Sequence, residues 1–175
     1  MTRMWTRETV LKTLTLNLAV LAVALVLVAA DGYVRAATAA SPFSGLVGSW
    51  SGSGTLTLKG GAKERVSCRA TYNLVGSQSQ VRQDLRCASD SYKFEVKGDV
   101  TQGSNGSISG QWQETTRNLV GNLTGRANRG RIDARIEGPT FAALLTLTTR
   151  GSRQTVSIRS PGSQVEEVLI NLRKR

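Results

Sequence analysis

Residue types that carry chemistry in proteins are few in this sequence. Histidine is absent from all 175 residues, and the only cysteines are Cys68 and Cys87. Without an imidazole, neither a Ser-His-Asp triad nor a Cys-His pair can form, and a histidine metal site is excluded. We therefore expect no metal and no cofactor, and the common hydrolase mechanisms are ruled out.

The carboxylates do not form a pair that is placed for acid–base catalysis. Asp84 and Asp99 lie on outward faces beside Arg and Lys residues. Glu166 and Glu167 are adjacent, so they would face opposite sides of a strand. Glu114 is expected to face inward, where it would hold a cationic ligand, pair with a basic group or lie in water at the end of the fold. We predict that the protein is not an enzyme.

The two cysteines are spaced for a disulfide. If residues 66–74 and 81–87 form a hairpin with a two-residue turn at 77–78, Cys68 lies directly opposite Cys87. Opposed Cα atoms in an antiparallel pair are about 4.5–5.5 Å apart, which a disulfide can span. The same register places Tyr72 opposite Gln83 and makes the two apolar faces coincide. We predict a Cys68–Cys87 disulfide, with two buried free thiols as the alternative.

Three aromatic residues share the inward faces with Glu114. They are Tyr72, Phe94 and Trp112. Aromatic walls with a single polar group are typical of pockets for small ligands. The sequence therefore predicts a small apolar or amphipathic ligand held inside the fold by these four residues.

The surface is predicted to be strongly basic, because 23 Lys and Arg residues face 12 Asp and Glu residues and give a net charge of +11. The densest basic segment contains Arg126, Arg129, Arg131 and Arg135. Such a surface attracts phosphates, anionic lipids and acidic proteins. The aromatic residues lie on the opposite faces, so we expect no nucleic acid. We predict an anionic component of the cell envelope as a partner. The alternatives are a merely solvated surface, or an inhibitor that acts through the basic exterior or the loops.

Short runs of alternating apolar and polar residues follow one another from Trp50 to Arg173. Residues 92–100 alternate most regularly, and Gly and Asn clusters such as Gly60-Gly61 separate the runs. These turn residues adopt the positive φ angles of tight hairpins. The pattern predicts an all-β protein, an up-and-down antiparallel meander of about eight or nine strands closed into a barrel. A two-sheet sandwich is the alternative.

The first forty residues have the pattern of a secretory signal helix. Basic residues precede an apolar run at 18–30, and small residues follow at 36–40. This order is typical of a signal peptide, here with cleavage before Ala40. An uncleaved inner-membrane anchor is the alternative, although the run is shorter than the roughly 20 residues of a spanning helix. Both hypotheses place residues 41–175, the predicted barrel domain, in the periplasm or otherwise outside a bacterial cytoplasm, with membrane contact only through residues 1–40 if they are retained.

A short motif connects the meander to a known superfamily. Gly48-Ser49-Trp50 opens the first strand, and Arg173 lies in the last. A Gly-x-Trp with an Arg on the last strand resembles the lipocalin and wider calycin signature. The resemblance implies that Trp50 plugs the closed end of the barrel and that Arg173 packs over it. The chain is shorter than true lipocalins and lacks their Thr-Asp-Tyr motif, so it is more similar to small exported alphaproteobacterial barrels of unknown function.

Overall fold

The barrel consists of ten antiparallel strands. The computed structural model describes residues 41–76 and 78–175, so the predicted signal segment and its cleavage site lie outside the described residues. The strands are β1 (Gly48–Leu58), β2 (Lys63–Val75), β3 (Gln80–Ala88), β4 (Lys93–Gln102), β5 (Ser107–Glu114), β6 (Leu119–Asn128), β7 (Arg131–Glu137), β8 (Ala142–Arg150), β9 (Arg153–Arg159) and β10 (Val165–Lys174). Short 3-10 turns occupy Ser44–Leu46 and Ser104–Gly106. In this part of the chain, no helix has the length and apolar character needed to cross a membrane.

Each strand pairs with its neighbours in the chain, and β10 pairs with β1 to close the sheet. The predicted meander and barrel are therefore confirmed, and the sandwich is excluded. The expected count of eight or nine strands was too low. β6 and β7 are separate strands joined by a tight turn at Arg129 and Gly130, which both have positive φ, and β9 and β10 are each complete strands.

The hairpin of β2 and β3 has the predicted register. Cys68 opposes Cys87 and Tyr72 opposes Gln83. The two cysteines form a disulfide, with their Cα atoms 4.1 Å apart. The prediction of this bond is confirmed, and the free-thiol alternative is excluded.

One end of the barrel is filled by apolar side chains from the start of β1 and from the segment that precedes it. Phe43, Leu46 and Trp50 are 0%, 2% and 1% exposed and belong to the same core. The Trp50 indole Nε1 donates a 2.6 Å hydrogen bond to the Leu46 carbonyl oxygen, which satisfies its only polar atom. We call this the capped end; the turns after β2, β4, β6 and β8 also lie there.

The cation that packs on Trp50 is Lys174, not Arg173. Trp50 is paired with Lys174, whereas Arg173 is paired with Ser51 and is exposed. Successive side chains of a strand point to opposite faces, so a shift of one residue decides which of the two cations reaches the ring. The expectation that Arg173 packs over Trp50 was therefore wrong by one position in β10.

Candidate functional site at the mouth of the barrel

The end opposite the cap, which we call the mouth, carries the turns after β1, β3, β5, β7 and β9. Several inward-facing apolar residues near the mouth keep part of their surface exposed, although Leu56 and Val66 are 1% and 0% exposed. The partly exposed group consists of Leu58, Phe94, Ile158, Val165 and Val168. Accessible apolar surface is a common feature of ligand sites.

Trp112 carries a buried indole nitrogen near the mouth. Its ring lies across Gly121, where an added Cβ would come within 2.6 Å of the indole. The Phe141 ring lies against it at a tilt, with 5.7 Å between centroids. In the part of the chain that the structure describes, Trp112 Nε1 is the one buried side-chain nitrogen or oxygen without a hydrogen-bond partner. A buried donor of this kind costs about 1–3 kcal/mol unless a ligand or water accepts from it.

Phe94 is part of an aromatic and cationic cluster at the rim. Its ring stacks on Tyr92, with the centroids 5.9 Å apart. Arg117 is on the turn after β5, and its guanidinium carbon lies 5.5 Å from the centroid of the Phe94 ring. Because Arg117 Nη1 also donates to the Lys93 carbonyl oxygen at 3.1 Å, the guanidinium is held over the ring.

Glu114, at the end of β5, holds that turn in place. Its carboxylate accepts hydrogen bonds from the Thr116 hydroxyl and from the backbone N–H groups of Glu95, Thr116 and Arg117. Its Oε2 atom also lies 3.7 Å from Arg117 Nη1. Burial opposes ionisation, but these hydrogen bonds outweigh it and keep the pKa of Glu114 below its ordinary value. The carboxylate is thus occupied by donors of the protein itself.

Glu64 has the same role at the neighbouring turn, after β3. Its Oε2 atom accepts from Ser89 Oγ at 2.7 Å and from the Ser91 backbone N–H at 3.1 Å. Hydrogen bonds from Ser89 and Ser91 lower the pKa of this carboxyl. Between the two fixed turns lies a depression of about 430 Å³, lined by residues 89–93 with Thr116 and Arg117. The rim beside Phe94 is therefore preorganised by two carboxylates.

Tyr72 lies away from this site. It is 3% exposed, and its hydroxyl donates to Gln154 Oε1 at 3.1 Å. Gln154 Nε2 in turn donates to Thr149 Oγ1, at the end of β8 that belongs to the capped end. Burial raises the pKa of Tyr72, and the bond to Gln154 offsets only part of this effect. The structure thus places Phe94, Trp112 and Glu114 around the mouth and Tyr72 in the cap.

Sequence reasoning missed Phe141, Arg117 and Glu64 as members of this region. Phe141 reaches Trp112 from the turn before β8, although the two residues are not on paired strands. Glu64 belongs to β2 but fixes the turn after β3. Period-two alternation gives the face of a residue, but it carries no signal for contacts between turns.

No family model matches this sequence, and no curated protein matches it. Two solved structures share its fold. The S-type phycobiliprotein lyase CPES from Guillardia theta is 12% identical with a TM-score of 0.53, over 76% of this chain and 90% of that one. Rv2717c from M. tuberculosis is 13% identical with a TM-score of 0.57, over 76% of this chain and 94% of that one. At such identities the likeness concerns the fold alone, a closed antiparallel β-barrel.

Proposed function

We propose that this protein is a non-enzymatic calycin-like barrel that binds a small apolar or amphipathic ligand at its mouth. The observation that carries the proposal is the unpartnered indole N–H of Trp112 in an apolar wall. A ligand that offers an acceptor oxygen would complete this hydrogen bond while its apolar part covers the Phe141 ring. The likeness to a phycobiliprotein lyase is consistent with ligand binding in a barrel of this fold.

The rim suggests the polarity of the other end of the ligand. Lys93 and Arg117 line the depression between the turns, with Asp90 as the one acidic residue among them. Arg117 is partly neutralised by Glu114, but its side chain remains 46% exposed. An anionic or strongly hydrogen-bonding head group at the rim, with its apolar part inside, fits this arrangement.

The proposal that the protein is not an enzyme has two supports. The sequence contains no histidine, and the carboxylates nearest the mouth, Glu64 and Glu114, already accept hydrogen bonds from the turns. A general base needs a free lone pair directed at the substrate.

We also propose export to the periplasm, and this rests on the signal-like pattern of residues 1–40.

Two matched substitutions test the ligand site. Trp112→Phe removes only the unpartnered N–H and a ring, whereas Trp50→Phe removes an N–H that is bonded to Leu46. With anilinonaphthalene sulfonate as the amphipathic probe, we expect Trp112→Phe to weaken binding about five- to tenfold. Trp50→Phe should leave the affinity unchanged but lower stability. Native mass spectrometry of the purified protein would reveal a ligand that copurifies.

The opposite pattern would overturn the proposal. The mouth is not the ligand site if Trp50→Phe and Trp112→Phe lower the affinity for the probe equally. The same holds if the probe does not bind the folded wild-type protein.

A further inference from the structure

A row of unpaired arginines crosses the outside of the barrel. The strand register aligns one residue from each of six neighbouring strands, and five of these six residues are arginines. We call it the arginine row: Arg86, Arg69, Ser51, Arg173, Arg153 and Arg150, on β3, β2, β1, β10, β9 and β8. All five arginines are exposed. Two of them, Arg69 and Arg86, are far in the sequence from the other three, and the two groups are brought together by the pairing of β1 with β10.

No carboxylate neutralises this row. Five arginines elsewhere on the described surface form ion pairs, among them Arg131 with Asp133 at 2.6 Å and Arg135 with Glu137 at 2.7 Å. Within residues 41–76 and 78–175, none of the five row arginines makes an ion pair or a side-chain hydrogen bond. Glu95 lies directly opposite Arg86, and Asp84 lies two residues before Arg86 on the same face, but neither carboxylate forms an ion pair with a row arginine. Like charges directly opposite each other destabilise a sheet, so the fold gains nothing from this arrangement.

Small polar residues occupy the β1 position of the row. The outward residues of β1 are all Ser or Thr, and guanidinium groups from β2 and from the residue that follows β10 bind two of them. Arg175 Nε donates to Ser51 Oγ at 2.6 Å, and Arg65 Nη2 donates to Ser53 Oγ at 3.3 Å. A second cross-strand row of hydroxyl and amide groups borders the arginines: Ser67, Ser53, Asn171, Thr155 and Thr148.

We infer that the arginine row binds a linear anionic polysaccharide. Guanidinium groups bind carboxylate or phosphate groups through two parallel hydrogen bonds, and the adjoining hydroxyl and amide row suits sugar hydroxyls. Six strands at about 4.8 Å spacing extend the row over about 24 Å of a convex surface. A flexible chain can follow this curve, whereas a flat membrane would contact only part of it.

Nucleic acid fits the surface less well. Proteins that bind single strands stack bases on exposed aromatic rings. In the part of the chain that the structure describes, every aromatic residue is buried or partly buried, because the aromatic side chains face the barrel interior or its ends. Charge and hydroxyl groups without stacking surfaces favour a polymer of acidic sugars.

The test compares two triple variants that lower the net charge equally. The row variant is Arg69→Gln, Arg153→Gln and Arg173→Gln. The control variant, Arg126→Gln, Arg129→Gln and Arg135→Gln, alters the densest basic segment of the sequence, outside the row. The probe is fluorescently labelled polygalacturonate, a linear polymer of acidic sugars, titrated at low salt. We expect the row variant to bind about tenfold more weakly and the control less than about twofold more weakly.

Three results would overturn the inference: equal weakening in both variants, no binding of polygalacturonate by the wild-type protein, or tighter binding of phosphatidylglycerol vesicles or an oligonucleotide than of polygalacturonate. All substituted positions are exposed, so we expect both variants to fold. The single variants Arg69→Gln and Arg173→Gln repeat the test with smaller changes. Trp112→Phe should leave polygalacturonate binding intact, which separates this surface from the mouth.

Discussion

Lys174 packs its ammonium nitrogen 5.7 Å from the centroid of the Trp50 ring, where β1 and β10 close the barrel. Gly48 makes room for it, since a Cβ there would lie 3.1 Å from Lys174 Cε. Gly48 also has a φ of +111°, which side chains rarely tolerate. The glycine of the Gly-x-Trp motif is therefore favoured by its backbone angle, and a side chain in its place would also displace the lysine stem by a few tenths of an ångström.

Loss of the Lys174 ammonium should loosen the cap. Lys174→Met keeps an apolar stem but removes the charge over the ring, so we expect a loss of about 0.5–1 kcal/mol in the free energy of unfolding. Arg173→Met is the control, because Arg173 is exposed and has like-charged Arg153 opposite it. Denaturant unfolding of both variants measures the difference. An equal or larger loss for Arg173→Met would contradict the assignment.

The Cys68–Cys87 disulfide should contribute substantially to stability. It closes a loop with a sequence separation of 19, for which restriction of the unfolded chain gives about 3 kcal/mol. We expect the free energy of unfolding of the double variant Cys68→Ala and Cys87→Ala to be lower by about that amount. Its denaturant midpoint should fall accordingly. Thiol counting on denatured wild-type protein purified without reductant should find no free thiol, and two would contradict the bond.

Local alternation predicted much of this fold. The inward and outward faces of β2 and β3 followed from apolar residues at every second position, and a turn predicted at 77–78 then gave the pairing of Cys68 with Cys87 that the strand register has. Burial of one face makes such a register strongly specified, because a slip of one residue would expose the whole apolar set. For the same reason the closed meander was accessible from sequence.

The contacts between distant elements were not accessible. In β10 the assignment of Arg173 to Trp50 failed by one residue, because no turn links β10 to β1 and the sequence gives no register for this pair. The densest basic segment of the sequence also did not identify the arginine row. Arg131 and Arg135 pair with acids two residues further along their own strand, whereas the two halves of the arginine row are joined by the pairing of β1 with β10.

The Tyr72–Gln154 hydrogen bond should be a stabilising contact inside the cap. Tyr72→Phe leaves the buried Oε1 atom of Gln154 without its donor, which should cost about 1–3 kcal/mol. The double variant Tyr72→Phe and Gln154→Leu removes both partners and should recover part of that loss. Tyr92→Phe at the rim is the control, and thermal unfolding measures these variants together with the single variant Gln154→Leu. The account would be contradicted if the double variant lost more stability than the two single variants lose in sum.

Glu114 should make the stability of the barrel depend on pH in the acid range. Because hydrogen bonds lower the pKa of the folded carboxyl below its unfolded value, its contribution is complete at neutral pH. That contribution is lost as the pH falls below about 4, when the unfolded state takes up the proton more readily than the folded state. Glu114→Gln should therefore lower the free energy of unfolding by about 1–3 kcal/mol at neutral pH, and the difference from wild type should shrink in acid.

Glu137→Gln, which affects an exposed ion pair with Arg135, should change stability by less than about 1 kcal/mol. Denaturant unfolding across this pH range measures both variants, and a Glu114→Gln difference that stays constant down to acid pH would show that the carboxylate is not the group that holds the turn.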